Sequence, residues 1–249
     1  MRSTRPSKPT NDPASCKFVK ILLIPKILIN AKKFSNLASE PNAKPMEPAS
    51  FQMPGYRINE YLLVLNPHQE LAQKIQKVRN DFASKYKLVG SRNVKPHVTL
   101  VRFQTWNMME EKILQRLQAI AIGQAPFKVE LSNFGSFPTH TLYINVTTKV
   151  PIQSLVANLK DAQRLMKLNN EHKPHFIDEP HLSIATKLKP WQYEQGWLEY
   201  SHRHFTGRFV ADNMLLLKRP SGEKRSYQIA GRFEFMNLPV CTKQGSLFG

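Results

Sequence analysis

The chain has 249 residues, 41% of them hydrophobic and 10% aromatic, enough apolar matter for one large folded domain or two small ones. Its 36 Lys and Arg against 18 Asp and Glu give a formal charge of +18, which points to a polyanionic partner, nucleic acid first and an anionic membrane surface second. Only two cysteines, Cys16 and Cys241, are present; they exclude a disulfide framework and a paired thiolate metal motif, and they fit a reducing, cytoplasmic setting.

In chain order, residues 1–52 read as a basic leader without a fold of its own. Its first 50 residues carry nine Lys or Arg and three Asp or Glu among many Pro, Ser and Asn. The apolar run ILLIPKILI at 21–29 is too short to span a bilayer, and Pro25 and Lys26 interrupt it. No small-residue cleavage pattern follows it, so no membrane segment is expected. The globular pattern starts at Tyr56. Residues 61–65 form a short apolar strand. Pro67 opens a helix where a missing N–H costs nothing, and Leu71, Ile75, Val78, Phe82 and Tyr86 mark its buried face at steps of three and four. A strand follows at 94–103. Asn107 with Glu110 predicts a capping box, opening a helix with Ile113, Leu117 and Ile120 on one side. Phe127, Val129 and Leu131 alternate as a strand, and Leu142, Ile144 and Val146 as another. Pro151 opens a helix carrying Ile152, Leu155, Leu159 and Met166. A strand at about 181 and a helix over 190–203 come next. Two long strands, 207–218 and 224–236, flank the turn Pro220-Ser221-Gly222. Residues 238–249 read as a loose tail.

Two of these strands carry nearly the same phrase, KPHVTL at 95–100 and EPHLSI at 179–184. His97 and His181 lie 84 residues apart, as do Thr99 and Ser183, Pro96 and Pro180, and Leu100 and Ile184. The same offset relates Pro67 to Pro151, Leu71 to Leu155, Ile75 to Leu159 and Phe82 to Met166. Eight pairs in one register predict two similar lobes, about 56–135 and 138–236, within a domain spanning 53–237.

In a strand, residues i and i+2 share a face, so each histidine shares one with its hydroxyl residue. If the lobes pack about an approximate two-fold axis, two imidazoles and two hydroxyls face one another across a cleft. Such a pair suits phosphodiester hydrolysis. One ring, with an unperturbed pKa of roughly 6.5, takes a proton from water while the other protonates the leaving oxygen. The hydroxyls donate to the non-bridging phosphate oxygens. Lys187 shares strand parity with His181 and is a candidate phosphate contact, whereas Arg102 has the opposite parity to His97 and is expected to point away. His140, Tyr143, Lys224 and Tyr227 lie on strands that can line the cleft, where aromatic rings stack on bases. His172, His175 and His181, in HKPHFIDEPH, suggest a metal site, but Pro174 and Pro180 favour an extended loop over a ligand-bearing helix. Neither a metal nor another cofactor is expected. Over 54–237 alone, 26 basic residues stand against 15 acidic ones, which suits a substrate bound through phosphate.

HVTL and HLSI, set about eighty residues apart in duplicated lobes, resemble the two-histidine phosphoesterase superfamily. Within it the chain looks most like the bacterial 2'-5' RNA ligases, better described as RNA 2',3'-cyclic phosphodiesterases. The resemblance covers roughly 56–236 and does not extend to the leader. It implies an α+β fold of two pseudo-symmetric lobes, each an antiparallel sheet with outer helices, around a central cleft. It also implies His97, Thr99, His181 and Ser183 as the catalytic set, with Ser183 replacing the commoner threonine. The expected function is metal-independent opening of RNA 2',3'-cyclic phosphate ends to 2'-phosphates by a monomer, with reversible 2'-5' RNA ligation at the same site. Which histidine is base and which acid stays open. One alternative keeps the fold but takes a small cyclic nucleotide, ADP-ribose cyclic phosphate or a 2'-5' oligonucleotide. Another is an RNA-binding module without turnover.

Overall fold

A computed structural model of the protein describes residues 54–88, 95–223 and 225–238. The basic leader 1–52, Lys224 and all but the first residue of the tail 238–249 lie outside the described residues. The chain opens with β1 (Ile58–Leu65), α1 (Gln69–Lys85), β2 (Val98–Trp106) and α2 (Glu110–Gly123). It continues through β3 (Phe127–Phe137), β4 (Thr141–Val146), α3 (Lys149–Leu159), the single turn α4 (Gln163–Met166) and a two-residue β5 (His175–Phe176). It ends with β6 (His181–Thr186), α5 (Pro190–Tyr200), β7 (Thr206–Ala211), β8 (Asn213–Pro220) and β9 (Gln228–Glu234).

The apolar spacing accounts for the helices. In α1, Leu71, Ile75 and Phe82 turn inward, and α2 and α3 bury Ile113 with Leu117 and Ile152 with Leu155 and Leu159 in the same way. Each such side chain contributes about 1.5–3 kcal/mol by leaving water. The capping box expected at Asn107 and Glu110 does not form. Residues Asn107–Met109 make a tight 3-10 turn before α2, and Asn107 Oδ1 instead accepts from Asn59 Nδ2 at 3.0 Å. Glu110 takes the Tyr61 hydroxyl at 2.7 Å and the Lys218 ammonium at 2.8 Å, interactions with strands that outcompete the local cap. Another polar contact tightens the start of α5, where Gln192 Oε1 accepts from the Lys189 N–H at 2.9 Å.

The strands form two sheets, ordered β5-β2-β1-β8-β9 and β6-β4-β3-β7, with antiparallel pairing throughout. The fold is therefore α+β with two antiparallel sheets. The 84-residue offset carries β1 onto β4 and β2 onto β6, and it also carries β3 onto β8. The order β2-β1-β8 thus repeats as β6-β4-β3. The sheets do not follow the expected lobe limits of 56–135 and 138–236. β3, from the first stretch, joins the second sheet, while β8 and β9, from the last, join the first. The helices cross over too: α1 packs on β6 and β7, and α3 and α4 on β2. The strand expected at 207–218 breaks at Asp212, because its first part pairs with β3 and its second with β1. One hydrophobic cluster runs through both sheets and all the larger helices. Gly196 of α5 lies so close to α1 that a Cβ there would meet the Phe82 ring at 2.8 Å.

Candidate active site

β6 is the outer strand of its sheet, and it lies against β2 and α1 of the other half. The two histidine phrases are thereby neighbours although 84 residues separate them. His97 immediately precedes β2, and His181 opens β6. Their rings are held alike: His97 Nδ1 donates to the Lys95 carbonyl at 2.8 Å, and His181 Nδ1 to the Glu179 carbonyl at 2.9 Å. A carbonyl only accepts, so Nδ1 carries the hydrogen and Nε2 is the basic nitrogen of each neutral ring. The prolines of the two phrases have a role here. Pro96 and Pro180, both buried, fix the backbone between carbonyl and ring and bias the preceding residue to an extended conformation. The contact does not by itself mark a catalytic ring, since His140 Nδ1 meets the Pro138 carbonyl at 3.0 Å.

Thr99 and Ser183 are half-buried, on the same sides of their strands as the two histidines. Just beyond each hydroxyl the strand bulges. Opposite β1, Leu100 is the extra residue between Thr99 and Val101; opposite β4, Ile184 is the extra residue between Ser183 and Ala185. The bulges are themselves 84 residues apart, and each resets the alternation. Leu100 with Val101, and Ile184 with Ala185, are adjacent buried pairs. Two parity expectations change as a result. Arg102, expected to point away, returns to the face of His97 and Thr99. Lys187 loses the parity it shared with His181; it lies exposed beyond β6 in a left-handed conformation, φ 56°. His140 is exposed beside it, its carbonyl accepting the Leu188 N–H at 3.0 Å, at the opposite end of β6 from His181.

Tyr143 stands beside one of the two histidines. It pairs with Ser183 across the sheet, and its ring centroid lies 5.1 Å from that of His181. Phe137, which sequence reasoning missed, stands 4.9 Å from His181 and 4.6 Å from Tyr143. These three rings line a pocket together with Ser132, Asn145 and Lys149. Burial, and then the Glu179 charge, raise the Tyr143 hydroxyl above its ordinary pKa. Tyr227, expected on a strand, immediately precedes β9, with the Arg219 guanidinium 4.5 Å from its ring centroid. Lys224 lies outside the described residues.

A second residue missed in the sequence is Arg79. It is buried on α1, and its Nε donates to the Ser183 carbonyl at 3.0 Å. Burial pushes the guanidinium down to about 10. The same charge acts on His97. Burial lowers the His97 imidazole below its ordinary value, the Lys95 carbonyl opposes that shift, and Arg79 adds to it. One cation thus braces the open edge of β6 and disfavours protonation of the histidine on β2. The available signal was a charge at the i+4 step from Ile75, inside an apolar helical stripe.

Among the described residues no group of three or more His, Cys, Asp and Glu could hold a metal ion. His172 instead meets Asn169 Oδ1 through Nδ1 at 3.0 Å. No helix among them is long and apolar enough to cross a membrane.

A model of the 2'-5' RNA ligase superfamily matches residues 67–223. No curated protein matches the chain significantly. Among solved structures, the protein TT0787 of Thermus thermophilus is 14% identical, with 71% of this chain and 98% of that one covered, at a TM-score of 0.51. Escherichia coli LigT complexed with 3'-AMP is 14% identical, with 72% and 98% covered, at a TM-score of 0.49. At this identity the likeness to the Thermus thermophilus protein is one of fold.

Proposed function

The chain belongs to the 2'-5' RNA ligase superfamily, whose model spans well over half of it, and from that premise we propose that it opens RNA 2',3'-cyclic phosphate ends. His97 is the base, and its Nε2 takes a proton from water as the water oxygen attacks phosphorus. The P–O3' bond breaks, and His181, which acts as the imidazolium with both nitrogens protonated, delivers its Nε2 proton to O3'. The product carries a 2'-phosphate and a 3'-hydroxyl. Thr99 and Ser183 donate to the non-bridging oxygens while charge builds there. The burial and the Arg79 charge that keep His97 neutral support its role as base, because a general base must be unprotonated when substrate arrives. Phe137 and Tyr143 flank the terminal base. With an RNA 5'-hydroxyl in place of water as the nucleophile, the same proton transfers and the same break of P–O3' join a 2'-5' linkage; water's abundance makes hydrolysis dominate.

The observation that carries this reading is the matched pair of Nδ1-clamped histidines on neighbouring strands, each followed by a hydroxyl and a bulge. The test uses the full chain and an RNA oligomer ending in a 2',3'-cyclic phosphate, with EDTA present. We expect a 2'-phosphorylated product, and a loss of roughly 10²–10⁴-fold in turnover for His97→Ala and for His181→Ala. Unchanged turnover in both variants, or an activity that EDTA abolishes, would refute the assignment. Tight RNA binding with no product would identify a binding module instead.

A further inference from the structure

The bulge in β2 has a consequence for substrate choice. Beyond it, the face that carries His97 and Thr99 continues as Arg102, paired through Leu62 of β1 to Leu217 of β8 and then to Ile229 of β9. The next row holds Glu60 beside Arg219. Along β1, Leu62 lies two residue steps from Val64, which is opposite Thr99, and Glu60 two steps further on. The rows therefore lie about 7 and about 14 Å from the Thr99 row.

The chemistry of these rows is uneven. Leu62 and Leu217 are half-buried, and Ile229 is 64% exposed, so they form an apolar shelf. Beside the shelf stands a buried carboxylate with two cations. Glu60, 4% exposed, meets Arg102 at 2.6 Å and Arg219 at 2.6 Å. Burial alone would raise the Glu60 carboxyl; the Arg219 hydrogen bond, with the Arg102 charge and the Tyr227 hydroxyl, holds it below its ordinary value. Tyr227 also lies against the Arg219 guanidinium. Glu60 therefore neutralises one positive charge and orients both guanidinium groups. One net positive charge remains, on a fork suited to a phosphate.

Building on the phosphodiesterase reading above, we propose that this row is a subsite for the nucleotide 5' to the reacting end. The internucleotide phosphate lies on Arg102 and Arg219, and the base of the penultimate nucleotide packs on the Leu62–Leu217–Ile229 shelf. The substrate is then an RNA strand of at least two nucleotides rather than a cyclic mononucleotide. Arg102, Glu60 and Arg219 act as specificity determinants, and they take no part in the proton transfers.

The test compares kcat/KM on a 2',3'-cyclic mononucleotide and on a trinucleotide with the same cyclic end, over a salt series. The trinucleotide should be preferred at least tenfold, a single phosphate-sized charge-assisted contact. Its salt slope should be steeper by about 0.7 for each added phosphate held. Arg102→Gln, which leaves Glu60 paired to Arg219, and Ile229→Glu, at an exposed position, should each lower the trinucleotide-to-mononucleotide ratio about tenfold. Lys128→Gln, on the far sheet, should not change the ratio. Binding of a 3'-phosphorylated trinucleotide, read by fluorescence anisotropy, should weaken in the same two variants. Equal turnover of both substrates, with a ratio indifferent to Arg102→Gln and Ile229→Glu, overturns the subsite and leaves the phosphodiesterase reading standing. Failure to open either cyclic end, with trinucleotide binding still sensitive to the two variants, overturns the phosphodiesterase reading and leaves the subsite.

Discussion

Arg79 places a guanidinium between the two motif strands, bonded to the Ser183 carbonyl on one side and acting on the His97 ring on the other. Its effect on catalysis has a definite sign. A lowered imidazole pKa means that the neutral ring, the base form, persists to lower pH. The acid limb of the kcat/KM profile reports the free enzyme's base, and so it should fall below the ordinary histidine value of about 6.5. Arg79→Gln removes the charge and should move that limb upward, while Arg79→Lys should restore it. A limb that ignores the charge at position 79 would show that Arg79 only braces the strand. The histidine–hydroxyl phrases were legible because a reactive residue type recurred in register. Arg79 and Phe137 were not, because burial and ring contacts depend on partners far away in sequence. Arg79 serves β6, 104 residues away in sequence, and Phe137 ends a long strand whose alternation does not reveal which ring it meets.

At the scale of elements, the chain announces its helices better than its strand partners. Pro67 and Pro151 and the three- and four-residue steps mark α1 and α3, since helical contacts are local. Nothing in the alternation of β8 says that it pairs with β1 rather than with β7. The bulges left one faint trace, two adjacent apolar residues after each hydroxyl, Leu100-Val101 and Ile184-Ala185. Reading past that trace sent Arg102 to the wrong face and gave Lys187 a parity that the strand does not keep. The contact between α5 and α1 is a further case in which packing overrides local preference. In an isolated helix, Gly196→Ala would stabilise by about 1 kcal/mol. Here the new Cβ would meet a fully buried Phe82 ring at 2.8 Å, and that ring is wedged between Tyr86 and Tyr200, with centroids at 4.5 and 5.2 Å. With no room for the ring to give, we expect Gly196→Ala to destabilise by about 1–3 kcal/mol in urea denaturation. A rise in the urea midpoint would show that the ring has space the packing denies.

Across residues 54–238, the exchange of elements leaves neither half with a core of its own. β1 and β2 need β8 from the last part of the chain, β4 and β6 need β3 from the first, and α1 and α3 each cover the other half's motif strand. The repeat foretold two similar lobes and the family resemblance two antiparallel sheets, but neither could foretell this interlocking, which rests on pairings such as Asn59 with Pro220. It matters for the candidate site, because the two motif strands, β2 and β6, belong to different sheets and meet only when both are folded. It also has a thermodynamic signature. Leu100 and Ile144, one from each sheet, are both fully buried in a single cluster, and truncating either to alanine should cost about 2–5 kcal/mol. If the sheets share one cooperative unit, each substitution lowers the same single transition. Circular dichroism should then follow one midpoint together with fluorescence from Trp106 on β2 and from Trp191 and Trp197 on α5. Two midpoints, with Leu100→Ala lowering only one and Ile144→Ala only the other, would mean that the sheets fold separately. A chain cut after residue 135 provides the complementary test. It retains β1 and β2 but loses β8, the central neighbour of β1, along with the β6 edge that α1 packs on, and it should show no cooperative unfolding at all.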